Sequence, residues 1–155
     1  MRTIEATPAA ASLRVAVVVS RYNDFVTGRL QEGALSALAR GGVSSNAITV
    51  IKVPGAFEIS LAAHQAAASA KFDAVVCLGC LIRGATAHFE YIASAVSQGI
   101  TAAAAATGVP ISFGVLTTNS VEEAIERAGE GPSNKGWEAA VAAVEMAAVL
   151  AQLRQ

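Results

Sequence analysis

The sequence carries little charge, and the charge is spread along the chain. Only 15% of its 155 residues are charged, and the formal net charge is -1. A nucleic acid partner would need a cluster of lysine and arginine side chains, so we expect none. The N-terminal residues also lack the charged start and long apolar run of a secretory signal, which predicts a cytoplasmic protein.

Cysteine is scarce, and the two present, Cys77 and Cys80, form a C-x-x-C motif. Redox-active motifs of this kind begin a helix, whereas this pair ends an apolar run that is typical of a strand. An extended chain would hold the two Cα atoms about 10 Å apart, which is too far for a disulfide. Zinc would need further ligands, and only His64 and His88 are available. We therefore expect neither a redox site nor a metal site.

A membrane span and two common phosphate-binding motifs are also missing. The stretch 91–121 has no charged residue and is long enough to span a bilayer, but a Gly-Val-Pro turn at 108–110 interrupts it. This pattern predicts a helix, a turn and a strand. There is no G-x-G-x-x-G after the first strand and no G-x-x-x-x-G-K followed by serine or threonine, so neither a dinucleotide nor a nucleoside triphosphate is favoured.

Apolar residues, in contrast, are abundant. They make up 54% of the chain, and the mean hydropathy is +0.50. This is more apolar surface than a small monomer normally hides. The length suits a single domain over residues 1–155, so we assign the surplus to subunit interfaces and expect a homo-oligomer.

Short β-branched runs alternate along the chain with apolar residues at helical spacing. Strands are predicted at 14–20, 47–53, 74–82 and 111–117. Helices are predicted from 26 to the glycine pair at 41–42, at 57–70, at 86–107, at 120–129 and from about 133 onward. The last helix has an apolar stripe formed by Trp137, Val141, Val144 and Ala148. Such a stripe should pack against an apolar surface. The alternation predicts an α/β protein, a three-layer αβα sandwich around a parallel four-stranded sheet.

In an open parallel sheet, ligands bind beyond the carboxyl ends of the strands. The loops expected there are 21–24, 54–58, 82–88 and 113–119. They offer Tyr22, Asn23, Phe57, Glu58, Arg83, Thr86 and His88, and also Phe113 if the fourth strand is central. A flat polar heterocycle could stack on an aromatic ring there, and an anion could accept hydrogen bonds from hydroxyl and backbone N–H groups.

The polar features in these loops, and Arg127 in the helix that follows, each have two interpretations. The Gly-Ala-Thr segment 84–86 leads into a helix whose N-terminal amides suit a phosphate, but it also fits an ordinary strand-to-helix turn. His88 could be an acid and base, or a capping or core residue. Glu58 could accept hydrogen bonds from a polyol, or favour the start of a helix. Arg127 could bind phosphate, or form an exposed ion pair with Glu123.

Five segments, taken in order, resemble the lumazine synthase family across nearly the whole chain. They are SRYNDFVTGRLQEGA at 20–34, VPGAFEI at 53–59, GCLIRGATAHFEYI at 79–92, FGVLTTNSVEEAIERAG at 113–129 and NKGWEAA at 134–140. The resemblance implies a flavodoxin-like sandwich that condenses 5-amino-6-(D-ribitylamino)uracil with 3,4-dihydroxy-2-butanone 4-phosphate. No metal or organic cofactor is implied.

The same resemblance implies a homopentamer, with an N-terminal arm, 1–13, that packs on a neighbouring subunit. The link 130–134 is as short as in shell-forming relatives, which predicts an icosahedral shell of pentamers. Riboflavin synthase is a further candidate partner.

Site residues follow from the resemblance position by position. The pyrimidine and its ribityl chain would be bound by Tyr22, Ala56, Phe57, Glu58, Cys80, Leu81, Ile82 and Phe113. Phosphate would be bound by Ala85, Thr86 and Arg127, with His88 as the acid and base and Lys135 as a weaker candidate for contacting the ring. In the family, Phe113 and Arg127 come from the adjacent subunit.

The sequence departs from the family pattern at three positions. Tyr22 stands where phenylalanine or tryptophan is more usual, a change that preserves stacking. Cys80 replaces a smaller or β-branched residue, which matters little if only its backbone binds. Ala87 stands where proline or a hydroxyl residue is common, and this change bears on the loop geometry near His88.

Two other classes of protein compete with an enzyme. A non-catalytic module that binds a flavin or lumazine would also stack its ligand on Tyr22, but it would not need a phosphate pocket at Thr86 and Arg127 beside His88. A receiver-type signalling domain would need an acidic cluster after the first strand, where the chain offers only Asp24.

Overall fold

The four predicted strands form one parallel sheet. A computed structural model of the protein describes residues 1–6 and 12–155. Its strands are β1 (Val15–Ser20), β2 (Ile48–Val53), β3 (Ala74–Ile82) and β4 (Ile111–Thr118). They lie in the order β2-β1-β3-β4, with Val15 opposite both Ile48 and Ala74. β1 is buried along its whole length, as its run of valines predicts for a strand covered on both faces.

Five α-helices connect and follow these strands. They are α1 (Asp24–Arg40), α2 (Ile59–Ala68), α3 (His88–Thr107), α4 (Val121–Arg127) and α5 (Lys135–Leu153). Short 3₁₀ turns lie at Ser45–Ala47, Ala56–Glu58 and Gly131–Ser133. The predicted capping residue of α4 is confirmed, because the Ser120 hydroxyl accepts a hydrogen bond from the Glu123 amide (3.2 Å). α3 ends at Gly108, whose positive φ of 68° suits glycine.

The helices cover both faces of the sheet, which confirms the three-layer sandwich. Val15, Val17 and Val19 of β1 pack with buried residues of α1, α4 and α5. Ala16 and Val18 point the other way and pack with α2 and α3. Successive side chains of a strand point to opposite faces, so β1 lies between two cores and contributes side chains to both. The flavodoxin-like arrangement expected from the sequence is thus the one observed.

The stripe predicted for α5 is confirmed only in part, since Trp137 and Val144 pack against the core but the fully buried residues differ. Its buried residues are small and comprise Gly136, Ala139, Ala140, Ala143 and Ala147. Val141, a member of the predicted stripe, is 37% exposed. The physical reason is a close approach to α1, because a Cβ at Gly136 would lie 2.0 Å from the Leu30 carbonyl oxygen. Only glycine and alanine fit where the two helices come closest, which a pattern of large apolar residues does not reveal.

Among the described residues one helix, α5, is long and apolar enough to cross a membrane by length and composition alone. Its small-residue face nevertheless packs on α1, β3 and β4. The uncharged stretch 91–121 contains most of α3, a turn and β4, which confirms the interpretation made from its sequence.

The predicted N-terminal arm, 1–13, lies partly outside the described residues, which omit 7–11. Within the described part, the Gln152 side chain of α5 donates a hydrogen bond to the Glu5 carbonyl oxygen (2.7 Å). Glu5 therefore lies beside α5 of its own chain.

Candidate active site

The loops that follow β1, β2 and β3 enclose a crevice of about 770 Å³ at the carboxyl edge of the sheet. It is lined by nine of the predicted site residues: Tyr22, Ala56, Phe57, Glu58, Cys80, Leu81, Ile82, Thr86 and His88. It is also lined by Phe89, Tyr91 and Ile92 of α3, which the sequence did not single out. These three follow His88 on the helix, within the segment 79–92 that resembles the family.

Tyr22 is held at the crevice mouth by backbone hydrogen bonds. Its amide donates to the Pro54 carbonyl oxygen (3.1 Å), and the Arg21 amide donates to the Val53 carbonyl oxygen (2.8 Å). The Tyr22 side chain is 73% exposed, so its ring is free to cover a flat ligand.

Asn23 turns the chain between Tyr22 and α1. Its backbone lies in the left-handed region (φ 65°, ψ 44°), which asparagine tolerates better than most residues. Its side-chain amide donates to the Cys80 carbonyl oxygen (3.0 Å). The loop after β1 is therefore tied to β3 as well as to β2. The sequence placed Asn23 in the crevice loop without assigning this contact, since nothing in it indicates a partner 57 residues away.

The turn after β2 supplies an aromatic ring and a carboxylate. In the Ala56–Glu58 turn, Ala56 is buried, whereas Phe57 is exposed and Glu58 is half-buried. The Glu58 amide donates to the Gly55 carbonyl oxygen (3.2 Å), which closes this turn. Ala56 and Ile59 anchor the turn in the core, and the two residues between them line the crevice.

The two thiols lie in β3, as the apolar pattern predicts. Both are free and buried, and burial raises the pKa of Cys77 to about 12 and that of Cys80 to about 11. Thiols with such pKa values carry almost no thiolate at neutral pH, which makes redox or nucleophilic chemistry there unfavourable. Cys80 packs in the core, and its carbonyl oxygen accepts the hydrogen bond from Asn23.

The segment after β3 forms the exposed rim of the crevice. Residues 83–88 are all exposed, and the Thr86 hydroxyl accepts a long hydrogen bond from the His88 amide (3.4 Å). His88 is the first residue of α3 and is not a core residue, so the core interpretation of this histidine is wrong. Ala85 belongs to the same exposed turn but does not line the crevice.

Phe113, Arg127 and Lys135 do not join the crevice within one chain. They line a second pocket of about 410 Å³ beside β4, α4 and α5. Phe113 was expected near the crevice if β4 were central, but β4 is an edge strand. Phe113 is the third residue of that strand, opposite Cys77 and away from the carboxyl end, and it is 47% exposed.

The ion pair suggested for Arg127 and Glu123 is not the contact that forms. Arg127 Nη1 donates to the backbone carbonyl oxygen of Glu123 (3.2 Å), while the Glu123 carboxylate accepts from the Asn119 amide (3.0 Å). The Lys135 ammonium pairs with Glu138 (2.8 Å). The Arg127 guanidinium therefore keeps donors available in the second pocket, as a phosphate ligand would need.

Comparison with known proteins gives one consistent result. A family model described as 6,7-dimethyl-8-ribityllumazine synthase matches residues 12–151. A protein of that name from Syntrophus aciditrophicus (strain SB) is 54% identical over 144 residues, which are 93% of this chain and 94% of the relative. A second, from Chloroherpeton thalassium (strain ATCC 35110 / GB-78), is 52% identical over 153 residues and covers 99% of both chains. With its sheet, its crevice and matches of this extent, the chain belongs to the 6,7-dimethyl-8-ribityllumazine synthase family.

Proposed function

We propose that this chain condenses 5-amino-6-(D-ribitylamino)uracil with 3,4-dihydroxy-2-butanone 4-phosphate to give 6,7-dimethyl-8-ribityllumazine, at sites shared by neighbouring copies. Membership in the family supports the reaction, since both relatives carry the name of its product. A non-catalytic flavin-binding or lumazine-binding module is not favoured.

The observation that carries the proposal is the division of the site residues between two pockets. Tyr22, Glu58 and His88 line the crevice, whereas Phe113 and Arg127 line the pocket beside the edge strand β4. Each pocket alone lacks a group that the reaction requires. A complete site forms when the crevice of one copy meets the second pocket of the next, which is a heterologous contact of the kind that closes a ring.

The chemistry asks mainly for positioning. The 5-amino group of the pyrimidine attacks the ketone, and loss of water gives an imine. Elimination of phosphate leaves an enol, which tautomerises to a ketone. Attack of the ribitylamino nitrogen on this ketone closes the ring with loss of a second water. Holding the two substrates together supplies most of the acceleration, and a proton shuttle adds a factor of roughly 10²–10⁴.

Individual side chains have separate roles in this proposal. Tyr22 stacks on the pyrimidine, and the Glu58 carboxylate accepts hydrogen bonds from ribityl hydroxyls. Thr86 and the amides of its turn hold the phosphate together with Arg127 of the adjacent copy. The His88 imidazole gives and takes protons at the reacting nitrogen and oxygen atoms.

Assembly and location are part of the same proposal. The ring is a pentamer, and pentamers assemble into a shell through the short 130–134 link. The protein is cytoplasmic, and riboflavin synthase is its partner. Native mass measurement tests the assembly, and free pentamers alone would exclude the shell.

The reaction is tested by mixing the purified protein with both substrates and following lumazine fluorescence together with phosphate release. We expect equal amounts of lumazine and phosphate, formed at a rate proportional to the amount of protein. Binding of the pyrimidine without turnover, under conditions where the ring is intact, would instead support a carrier.

A further inference from the structure

The turn that carries Thr86 and His88 has little packing to hold it in place. Residues 83–88 are all exposed, and a Cβ added at Gly84 would meet no atom within 4 Å. A segment without buried side chains keeps its shape only through hydrogen bonds and ion pairs. The groups that form these hydrogen bonds and ion pairs therefore determine the geometry of residues 83–88.

Arg83 contacts the chain on both sides of this turn. Its backbone amide donates to the Thr118 carbonyl oxygen (2.8 Å), which extends the pairing of β3 with β4 by one hydrogen bond. Its guanidinium forms an ion pair with the Glu90 carboxylate and lies over the Phe89 ring, 4.6 Å from the ring centre. Phe89 and Glu90 belong to the first turn of α3, so one side chain ties the end of β3 to the start of α3.

The same guanidinium also reaches the loop that leads to the second pocket. Arg83 Nε donates to the Asn119 side-chain oxygen (3.0 Å), and the backbone amide of Asn119 donates to the Glu123 carboxylate (3.0 Å). The Glu123 carbonyl oxygen accepts from Arg127 Nη1 (3.2 Å). Arg83 thus contacts Asn119, the backbone of Asn119 contacts the Glu123 side chain, and Arg127 contacts the backbone of the same glutamate.

We propose that Arg83 is a positioning residue for phosphate, an inference that rests on the proposed function. It fixes the turn that presents Thr86, and through Asn119 and Glu123 it orients Arg127. An arginine is required because its planar fork offers donors in several fixed directions, whereas a lysine ammonium is a point charge on a flexible stem. If Arg127 serves the adjacent copy, each Arg83 supports two phosphate sites of the ring.

The test compares Arg83→Lys, Arg83→Gln and Asn119→Ala with the wild type. It measures the KM of the sugar phosphate, the dissociation constant of inorganic phosphate, and the dissociation constant of the pyrimidine substrate alone. We expect the KM of the sugar phosphate and the dissociation constant of inorganic phosphate to rise roughly tenfold in all three variants, because small displacements of positioning groups are costly. The dissociation constant of the pyrimidine should stay within about twofold of the wild-type value. Arg154→Gln is the control, since it removes one arginine charge beside Gly108, at the opposite end of the sheet.

Charge and position are separated by the lysine variant. If Arg83 acted only by attracting the phosphate, Arg83→Lys would bind phosphate as the wild type does, and that result would overturn the proposal. Equal weakening of pyrimidine and phosphate binding would also overturn it, because it would indicate a general structural role. Arg83→Gln combined with Asn119→Ala should be no worse than Arg83→Gln alone, since the two residues act through one series of contacts.

Failure of this inference is distinguishable from failure of the proposed function. A wild type that forms no lumazine refutes the function, whatever the variants do. A fully active wild type with unchanged variants refutes only the role of Arg83. If Arg83→Gln does not assemble, Arg83→Lys and Asn119→Ala still decide the question.

Discussion

Two substitutions in different pockets should complement each other in mixed rings. Tyr22→Ala removes the proposed stacking ring from the crevice, and Arg127→Ala removes the proposed phosphate ligand from the pocket beside β4. A ring made of either variant alone carries one lesion at every site, so each should be nearly inactive. A ring that contains both variants includes some junctions at which the crevice and the second pocket are both intact.

The size of the recovery follows from the way the sites are divided. An intact junction takes its crevice from a copy with Arg127→Ala and its second pocket from a copy with Tyr22→Ala. In a random equal mixture each condition is met half of the time, so about a quarter of the sites should work. This fraction does not depend on the direction in which the copies follow one another around the ring.

The assay unfolds the two variants together, reassembles them and measures lumazine formation per site. Native mass measurement verifies that the rings are mixed, and wild type taken through the same procedure sets the scale. The matched control mixes Tyr22→Ala with Glu58→Ala, two lesions of the same crevice. Every site then keeps one lesion in any arrangement, and activity should stay at background.

Two results would refute the reasoning. No recovery in verified mixed rings would place Tyr22 and Arg127 in the same copy's contribution to the site. Recovery in the control mixture would mean that the crevice itself is divided between copies, contrary to its closure by loops of one chain.

Three further predictions concern single positions. His88→Ala should assemble normally but slow single-turnover condensation by roughly 10²-fold or more, and an unchanged rate across neutral pH would exclude a proton shuttle there. Gly136→Ala should lower the free energy of unfolding, measured in urea, by about 1–3 kcal/mol, because the added Cβ would clash with α1. Gly28→Ala, whose added Cβ would meet open space, should raise the free energy of unfolding by up to about 1 kcal/mol. Arg14 lowers the pKa of Asp73, so the pair stabilises the fold above the ordinary carboxyl pKa of about 4. The difference in Tm between wild type and Asp73→Asn should therefore shrink as the pH falls below that value. A difference in Tm that stays constant with pH would contradict this prediction.

The order and type of the strands and helices could be predicted from the sequence because apolar residues mark them directly. The valine run of β1 and the apolar run of β3 belong to strands buried on both faces, which leave an uninterrupted apolar pattern. The buried face of α5 could not be predicted in the same way. Periodicity gives most weight to large apolar residues such as Val141, whereas close approach to α1 selects glycine and alanine.

The residues of the candidate site also fall into those that the sequence could place and those that it could not. Residues in loops after β1, β2 and β3 could be placed together, because the carboxyl ends of parallel strands meet at one edge. Phe113 could not be placed, since its position depends on β4 lying at the edge of the sheet, which local pattern does not reveal. The contact between Arg83 and Asn119 could not be predicted either, because the two residues are 36 positions apart in the sequence.

The distribution of aromatic residues carries a signal that periodicity does not use. They make up only 5% of the chain, and in the described part the fully buried core consists of smaller aliphatic side chains. Tyr22, Phe57 and Tyr91 are exposed and line the crevice, and Phe113 is exposed in the second pocket. Phe25 is exposed as well and lines neither pocket. Phe72 and Trp137 are half-buried and pack against the core, whereas exposed rings gathered in concave surfaces mark binding sites.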